Sequence, residues 1–208
     1  MSTLIPFAGL ATVPWKNGSG STTQIASDPP EADFDSFDWR VSLATISENG
    51  PFSVFPGVER TLALVDGHGL TLDIDANDRH AGHRVLVGRD EPVLAFSGDS
   101  DVQATLNRGP SVDFNVMTRS DTCYHLFGRR RLTGSPSGFA PRGDVSILFL
   151  AEGDSLSVSS DGERIGMARF DTILFRGDAS IWRLEGGPGV VLIADIFFNS
   201  DDDGDDLE

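Results

Sequence analysis

Two arginines, Arg40 and Arg60, bracket the chemically most suggestive stretch of the chain, WRVSLATISENGPFSVFPGVER at 39–60. A guanidinium offers paired N–H donors that match the two oxygens of a carboxylate or phosphate, so the pair suggests an anion site. In an extended strand Trp39, Val41 and Leu43 share one face, and Arg40, Ser42 and Ala44 share the other. A cation, a hydroxyl and a methyl suit a pocket wall better than a solvent face. Two turns follow, Gly50-Pro51-Phe52-Ser53 and Phe55-Pro56-Gly57, and they give the segment a rigid, aromatic-rich frame. Pairing of both arginines with structural carboxylates is the evenly weighted alternative.

Other side chains carry weaker signals. In Trp15-Lys16-Asn17-Gly18-Ser19-Gly20-Ser21-Thr22, glycines could let successive amides converge on an anion beside Lys16. The lysine precedes the glycines, so this is no Walker loop, and a surface turn explains it equally well. Asp113, Asn115 and Met117 lie on one face of an expected strand, and the local pattern favours solvent for that face over a polar pocket. His80 and His83 fall in a polar loop, and no pair of histidines one residue apart with a following glutamate is present, so no metal site is expected. Cys123 and His125 would share a strand face without an orienting third group. There is no G-x-S-x-G elbow, no dinucleotide-binding glycine fingerprint and no zinc-ribbon cysteine set.

The elements that must hold these residues are strands. Short runs rich in Val, Ile, Leu and Phe end at Gly, Asp, Asn or Pro, at 61–65, 70–74, 93–96, 112–117, 145–150, 156–159, 173–175 and 190–197. Helix is scarce, with a turn or two expected after Arg119. Residues 61–73, TLALVDGHGLTLD, align without a gap on 147–159, ILFLAEGDSLSVS, and Phe96-Ser97-Gly98-Asp99 matches Phe175-Arg176-Gly177-Asp178. Two matches in the same order imply duplication, hence an all-β chain of two related barrels. The division is placed at 1–125 and 126–208, with the glycine- and proline-rich stretch 129–143 read as a connector or long loop.

The chain has 208 residues and a formal charge of −16. That balance argues against nonspecific binding to nucleic acid or anionic membrane. The acidic tail from about residue 200 is expected to be a solvated, disordered end. One cysteine excludes an internal disulfide, and no signal peptide or membrane-spanning run is seen, so a cytoplasmic protein is expected.

Taken together these residues resemble the HutD/Ves family. The resemblance rests on Trp15-Lys16-Asn17-Gly18-x-Gly20-x-Thr22, Trp39-Arg40-x-Ser42-x-Ala44, Gly50-Pro51-Phe52-Ser53-x-Phe55-Pro56-Gly57-x-x-Arg60, Phe96-x-Gly98-Asp99 and Asp113-Phe114-Asn115-x-Met117. It implies a bicupin-like fold of two jelly-roll type barrels without the cupin metal ligands, and no cofactor. It also implies a role in histidine utilisation, by binding a small carboxylate metabolite such as formylglutamate or urocanate rather than turning it over. The implied pocket draws on Lys16, Asn17, Arg40, Ser42, Phe52, Ser53, Arg60, Asp113 and Asn115. Ser19 departs from the family's glycine triplet, and Ser120 stands where a second basic residue is common. A metal-independent isomerase or lyase is the rival reading, and an interaction protein acting through its barrel surfaces or acidic tail is a third. The sequence is compatible with a homodimer.

Overall fold

A computed structural model describes residues 1–30, 32–33, 35–74 and 82–200. The first half builds one large sheet from Trp39–Ile46, Ser111–Arg119, Val58–Gly67 and Val93–Ser97, side by side in that order. A second sheet accompanies it, ordered Gly50–Pro51, Val102–Leu106, Leu70–Ile74 and His83–Val87. The second half repeats both orders strand for strand. Its large sheet runs Cys123–Thr133, Pro188–Phe198, Val145–Glu152 and Thr172–Arg176. Its smaller sheet runs Ser137–Phe139, Trp182–Gly186, Ser155–Ser160 and Glu163–Ala168. Residues 61–106 and 147–184 therefore pair in the same sequence, as a duplication requires. No helix among the described residues is long and apolar enough to cross a membrane.

The N-terminal segment ties the halves together. Thr12–Pro14 and Gly20–Asp28 extend the first large sheet beside Trp39–Ile46. Ser2–Ile5 instead pairs with Thr172–Arg176 and covers an edge of the second half's large sheet. Strand Cys123–Thr133 likewise straddles residues 125 and 126. The sheets thus cross the 125/126 division at both places. Two local expectations need correcting. Arg129 to Thr133 are not loop: they continue an edge strand paired with Pro188–Phe198, where a run of charged residues is tolerated because one face and one edge meet solvent. After Arg119 there is a tight turn rather than helix, with the Thr122 amide donating to the Arg119 carbonyl at 3.1 Å. Most of the first copy's extra residues fall between Leu70–Ile74 and His83–Val87, where the second copy needs only Asp161 and Gly162. His80 lies in that insertion, outside the described residues.

Four sheets give four layers. Val41, Leu43, Ala63, Phe114 and Val116 of the first large sheet belong to one core with Ile147, Phe149, Leu192 and Ala194 of the second. Phe114 and Phe149 meet across this seam with ring centroids 4.5 Å apart. The opposite faces of the large sheets build separate cores inside each half, around Leu62, Leu70 and Leu72 in the first and around Leu148, Leu156 and Val158 in the second. Val145 to Ala151 are all buried because both faces of that strand meet protein, and a continuous apolar run results.

His125 is a polar side chain that crosses the seam. The ring nitrogens of His125 meet the hydroxyls of Thr61 (Nε2, 2.8 Å) and Thr118 (Nδ1, 2.7 Å) on the facing sheet. Burial pushes the His125 pKa down to about 4, so the ring is neutral in the fold. The unfolded chain takes up a proton below about pH 6.5 and the folded one does not, so this contribution is present above pH 6.5 and is lost as pH falls towards 4. Between about pH 7.5 and about pH 5.5, wild type should lose about 1 kcal/mol relative to His125→Gln, read from urea melts of both proteins. A difference independent of pH would mean that the ring charges freely in the fold.

Candidate ligand-binding site

Period-two alternation fixes what faces into the first half. In the large sheet, Arg40 pairs with Met117, which pairs with Arg60, which pairs with Phe96. The next inward row runs Gln24, Ser42, Asn115 and Leu62, and the following one brings Ala44, Asp113 and Leu64 together. The set Arg40, Ser42, Arg60, Ser111, Asp113 and Asn115 is buried, with Asp113 at 0% exposure. The solvent-facing assignment for Asp113 and Asn115 is therefore corrected. The smaller sheet covers that face, which the local pattern of one strand cannot reveal.

Arg40 enters from Trp39–Ile46 and donates from Nε to Gln24 Oε1 at 2.9 Å. Burial lowers its pKa. Arg60 is held differently, in a cage of three rings. Its guanidinium carbon lies 4.9 Å from the Phe96 ring centroid, 5.4 Å from Phe55 and 5.5 Å from Phe52. Each such contact contributes about 0.5–2 kcal/mol and none neutralises the charge. One long hydrogen bond, Nη1 to the Ser53 carbonyl at 3.4 Å, is its link to the turn. Nε of Arg60 is buried with no hydrogen-bond partner, and no carboxylate lies within ion-pair distance of this side chain among the described residues. Pairing with a structural carboxylate thus fails for Arg60. Burial, and then the nearby charge of Arg40, bring its pKa down to about 10, so it stays cationic at neutral pH.

The cage is set by the turn motifs. Gly98 donates to the Val58 carbonyl at 2.6 Å and accepts from the Phe55 amide at 2.8 Å. A Cβ there would stand 2.6 Å from the Phe55 oxygen and 2.7 Å from that of Val58, so only glycine allows this approach. The Asp99 carboxylate accepts from the Gly57 amide at 3.3 Å. Phe96-x-Gly98-Asp99 therefore clamps the Phe55-Pro56-Gly57 turn and so holds Phe55 and Phe96 about the guanidinium.

On the neighbouring strand Asp113 has Ser111 as hydrogen-bond donor, at 3.1 and 3.3 Å. Burial pushes its carboxyl up to about 7, against the lowering effect of the Ser111 hydroxyl. Its charge at neutral pH is therefore weaker than that of an ordinary carboxylate. Asn115 Oδ1 is buried without a partner. The interior thus holds an unsatisfied donor and an unsatisfied acceptor among the described residues, and buried groups of that kind ordinarily find partners.

A cavity of about 480 Å³ opens at this end of the barrel, lined by Asp35, Ser53, Val54, Phe55, Pro56, Val58 and Arg119. It shares Ser53 and Phe55 with the Arg60 cage. Arg119 donates from Nε to the Phe37 carbonyl at 3.1 Å and from Nη2 to the Asp35 carbonyl at 3.1 Å, which fixes its head at the mouth.

Of the nine residues expected in a pocket, Arg40, Ser42, Phe52, Ser53, Arg60, Asp113 and Asn115 lie within or at the rim of this half. Lys16 and Asn17 do not join them: both are exposed in a turn. There Asn17 Oδ1 accepts from the Ser19 amide (3.1 Å) and hydroxyl (2.7 Å). Ser19 thereby stabilises the turn from an ordinary backbone conformation, so its departure from a glycine triplet costs no strain. Gly20 is the constrained position, since a Cβ would meet the Thr45 oxygen at 2.3 Å. Phe96, Gln24 and Arg119 are neighbours of these groups that the sequence reasoning left out, while Phe55 belongs to the aromatic turn it singled out. The clamp motif signals the two phenylalanines, but no sequence signal places Gln24. Among the described residues no three His, Cys, Asp or Glu side chains gather as metal ligands. With two guanidinium groups in the interior, the donor set does not fit a metal.

The second half shows what the duplicated frame looks like without such a site. By strand pairing, Asn115 and Asp113 correspond to Ile193 and Val191, and Leu62 to Leu148, all in an apolar core. The position of Arg60 is taken by Ser146, whose hydroxyl donates to Asp195 at 2.6 Å. Arg142 completes that pair at 2.8 Å.

Comparison with known proteins fits this picture. Protein Ves of Citrobacter koseri is 43% identical over 110 residues, covering 52% of this chain and 53% of that protein, so the chain spans about half the length of the relatives of this kind that it matches. A 21.2 kDa protein from the hutC 3' region of Pseudomonas putida is 33% identical over 180 residues, 83% of this chain and 86% of that one. A conserved protein of unknown function from Pseudomonas aeruginosa PAO1 superposes with a TM-score of 0.83 at 30% identity, over 95% of this chain and 99% of its own. HutD from Pseudomonas fluorescens SBW25 gives 0.76 at 25%, over 96% and 100%. Bacterial pirin from Escherichia coli, at 10% identity and a TM-score of 0.62 over 94% and 98%, shares the fold alone, which is the double jelly roll of the cupins. The HutD family model matches residues 8–192, and the chain therefore belongs to the HutD family.

Proposed function

We propose that this protein binds a small carboxylate metabolite of the formylglutamate or urocanate kind inside its first half, and that binding regulates histidine utilisation. One observation carries the reading: Arg60 is buried in a phenylalanine cage with a partnerless Nε, and among the described residues its charge has no carboxylate counter-ion of the kind a ligand would supply. Water is largely excluded there, which strengthens a guanidinium–carboxylate contact. The name of the matching family and the hutC setting of the Pseudomonas putida relative support the link to histidine utilisation.

A second reading has its own support. A carboxyl poised at about 7 suits a general base, so Asp113 makes a metal-independent isomerase or lyase acting on the same carboxylate worth testing. Incubating purified protein with each metabolite and following loss of substrate separates the two readings. Turnover abolished by Asp113→Asn favours the enzyme. Saturable binding without turnover favours the sensor.

Two outcomes follow from the buried charges. Removing an unpaired buried cation relieves its desolvation cost, so Arg60→Met should be neutral or more stable without ligand, by up to about 1–4 kcal/mol. The same variant should lose the melting shift that wild type shows with formylglutamate or urocanate, which is about 2.7 kcal/mol at a hundredfold excess over Kd. A shift that survives Arg40→Ala and Arg60→Ala together in folded protein would sink the proposal. The carboxyl of Asp113 has a folded pKa above its unfolded value, so its contribution is lost as pH rises from 3.8 through about 7. Between about pH 5.5 and about pH 8, wild type should weaken by about 2 kcal/mol relative to Asp113→Asn, measured by urea melts. A flat difference would mean that the carboxyl ionises normally.

A further inference from the structure

A second cavity, of about 470 Å³, lies on the seam between the two halves, away from the barrel interior. Its charge is unlike that of the rest of the molecule. Over the whole chain 32 Asp and Glu outnumber 16 Lys and Arg, yet here Arg89, Arg129, Arg131 and Arg169 surround two acids, Asp66 and Glu152. Four cations against two anions leave an excess of two positive charges.

The arginines are mounted so that donors remain free. Arg169 spans the seam: Nε donates to the Ala151 carbonyl at 3.1 Å, and Nη2 reaches the Val65 carbonyl (3.4 Å) and Asp66 (3.2 Å). Its guanidinium also stacks 4.5 Å from the Phe170 ring centroid. These contacts fix its plane and leave Nη1, with two N–H groups, lacking an acceptor among the described residues. Arg129 makes one long contact, 3.4 Å, to the half-exposed Glu152. Arg89 makes one at 3.5 Å to the Gly67 carbonyl. Arg131 lies two residues from Arg129 on the edge strand, hence on the same face, and its guanidinium makes no hydrogen bond or ion pair among the described residues. Rigidly presented guanidinium forks match planar or tetrahedral oxyanions, and seams between halves are common places for ligand pockets.

We propose that this seam is a second anion site, which takes a small molecule bearing two or more anionic oxygen groups, either phosphates or carboxylates. It differs from the barrel site in residues and in ligand charge: several donors on one surface favour a multivalent anion, whereas the caged Arg60 suits a single carboxylate.

Pyrophosphate and citrate are suitable probes for the full chain, one for each source of the oxyanion. Isothermal titration at fixed ionic strength should show saturable binding of at least one probe, accompanied by a raised melting temperature. Binding of pyrophosphate alone assigns a phosphate-bearing ligand, and citrate alone a polycarboxylate. Binding of both assigns recognition by charge. Arg129→Gln/Arg131→Gln should weaken binding at least tenfold, and Arg131→Gln alone, at an exposed position without contacts to lose, should weaken it with an unchanged melt in the absence of probe. Arg60→Met should bind the probes as wild type does, so the outcome is independent of the barrel site. The proposal is overturned if neither probe saturates, if the arginine variants bind undiminished, or if Arg60→Met removes binding.

Discussion

The central constraint is that the two large sheets pack face to face. Val41, Leu43, Phe114 and Val116 must all point at the other half to fill the seam. Side chains alternate along a strand, so that demand turns Arg40, Ser42, Asp113 and Asn115 the other way, into the barrel. A slip of one residue would put guanidinium groups against Phe149 and valines inside the pocket. The seam therefore sets the register of the site, and the bulges at Val112/Asp113 and Gln24/Ala26 adjust it locally. Stability and site geometry have a common origin in this core.

What the barrel does with Arg60 follows from charge in a poorly solvated space. Ion pairing would be the ordinary way to hold a buried cation. Here three ring faces surround it, and the nearest like charge is Arg40. Such an arrangement costs stability, and of the partners a buried guanidinium could take, an anion would relieve that cost where an uncharged group would not. Asp113 moderates the field without cancelling it, because its own burial raises its pKa into the neutral range.

Much of the fold was legible because its signals are local. The eight strands expected from apolar runs are all present, and the match of 61–73 to 147–159 identified the repeated frame before any pairing was known. The edge strand through Arg129, Arg130 and Arg131 was not legible, since an exposed edge tolerates the composition of a loop. Nor was the joining of Ser2–Ile5 to Thr172–Arg176, which depends on a contact more than 160 residues away in the chain. The site divides the same way. Alternation around Arg40 identified a face turned away from solvent, whereas Asp113 and Asn115 looked solvent-facing until the second sheet covered them. Lys16 and Asn17 lie exposed in a glycine-rich turn that seats Trp15 against the core, away from the buried polar row.

Duplication explains how one molecule can carry a costly interior. The second copy keeps the frame and fills it with Leu148, Val191 and Ile193, with Trp182 and Phe175 packed edge to face at 5.1 Å. Its polar pair, Ser146 and Asp195, lies at one end and is satisfied by Arg142. That half can supply apolar burial of the kind the first half gives up to polar groups, and the shared seam transmits it, because unfolding the first half would expose the inner face of the second. The Ser2–Ile5 strand strengthens the coupling by placing the start of the chain in the sheet of its last third. A barrel that buries a cation with no carboxylate beside it among the described residues is therefore stable here as one of two, and its polar interior could diverge because its partner's did not.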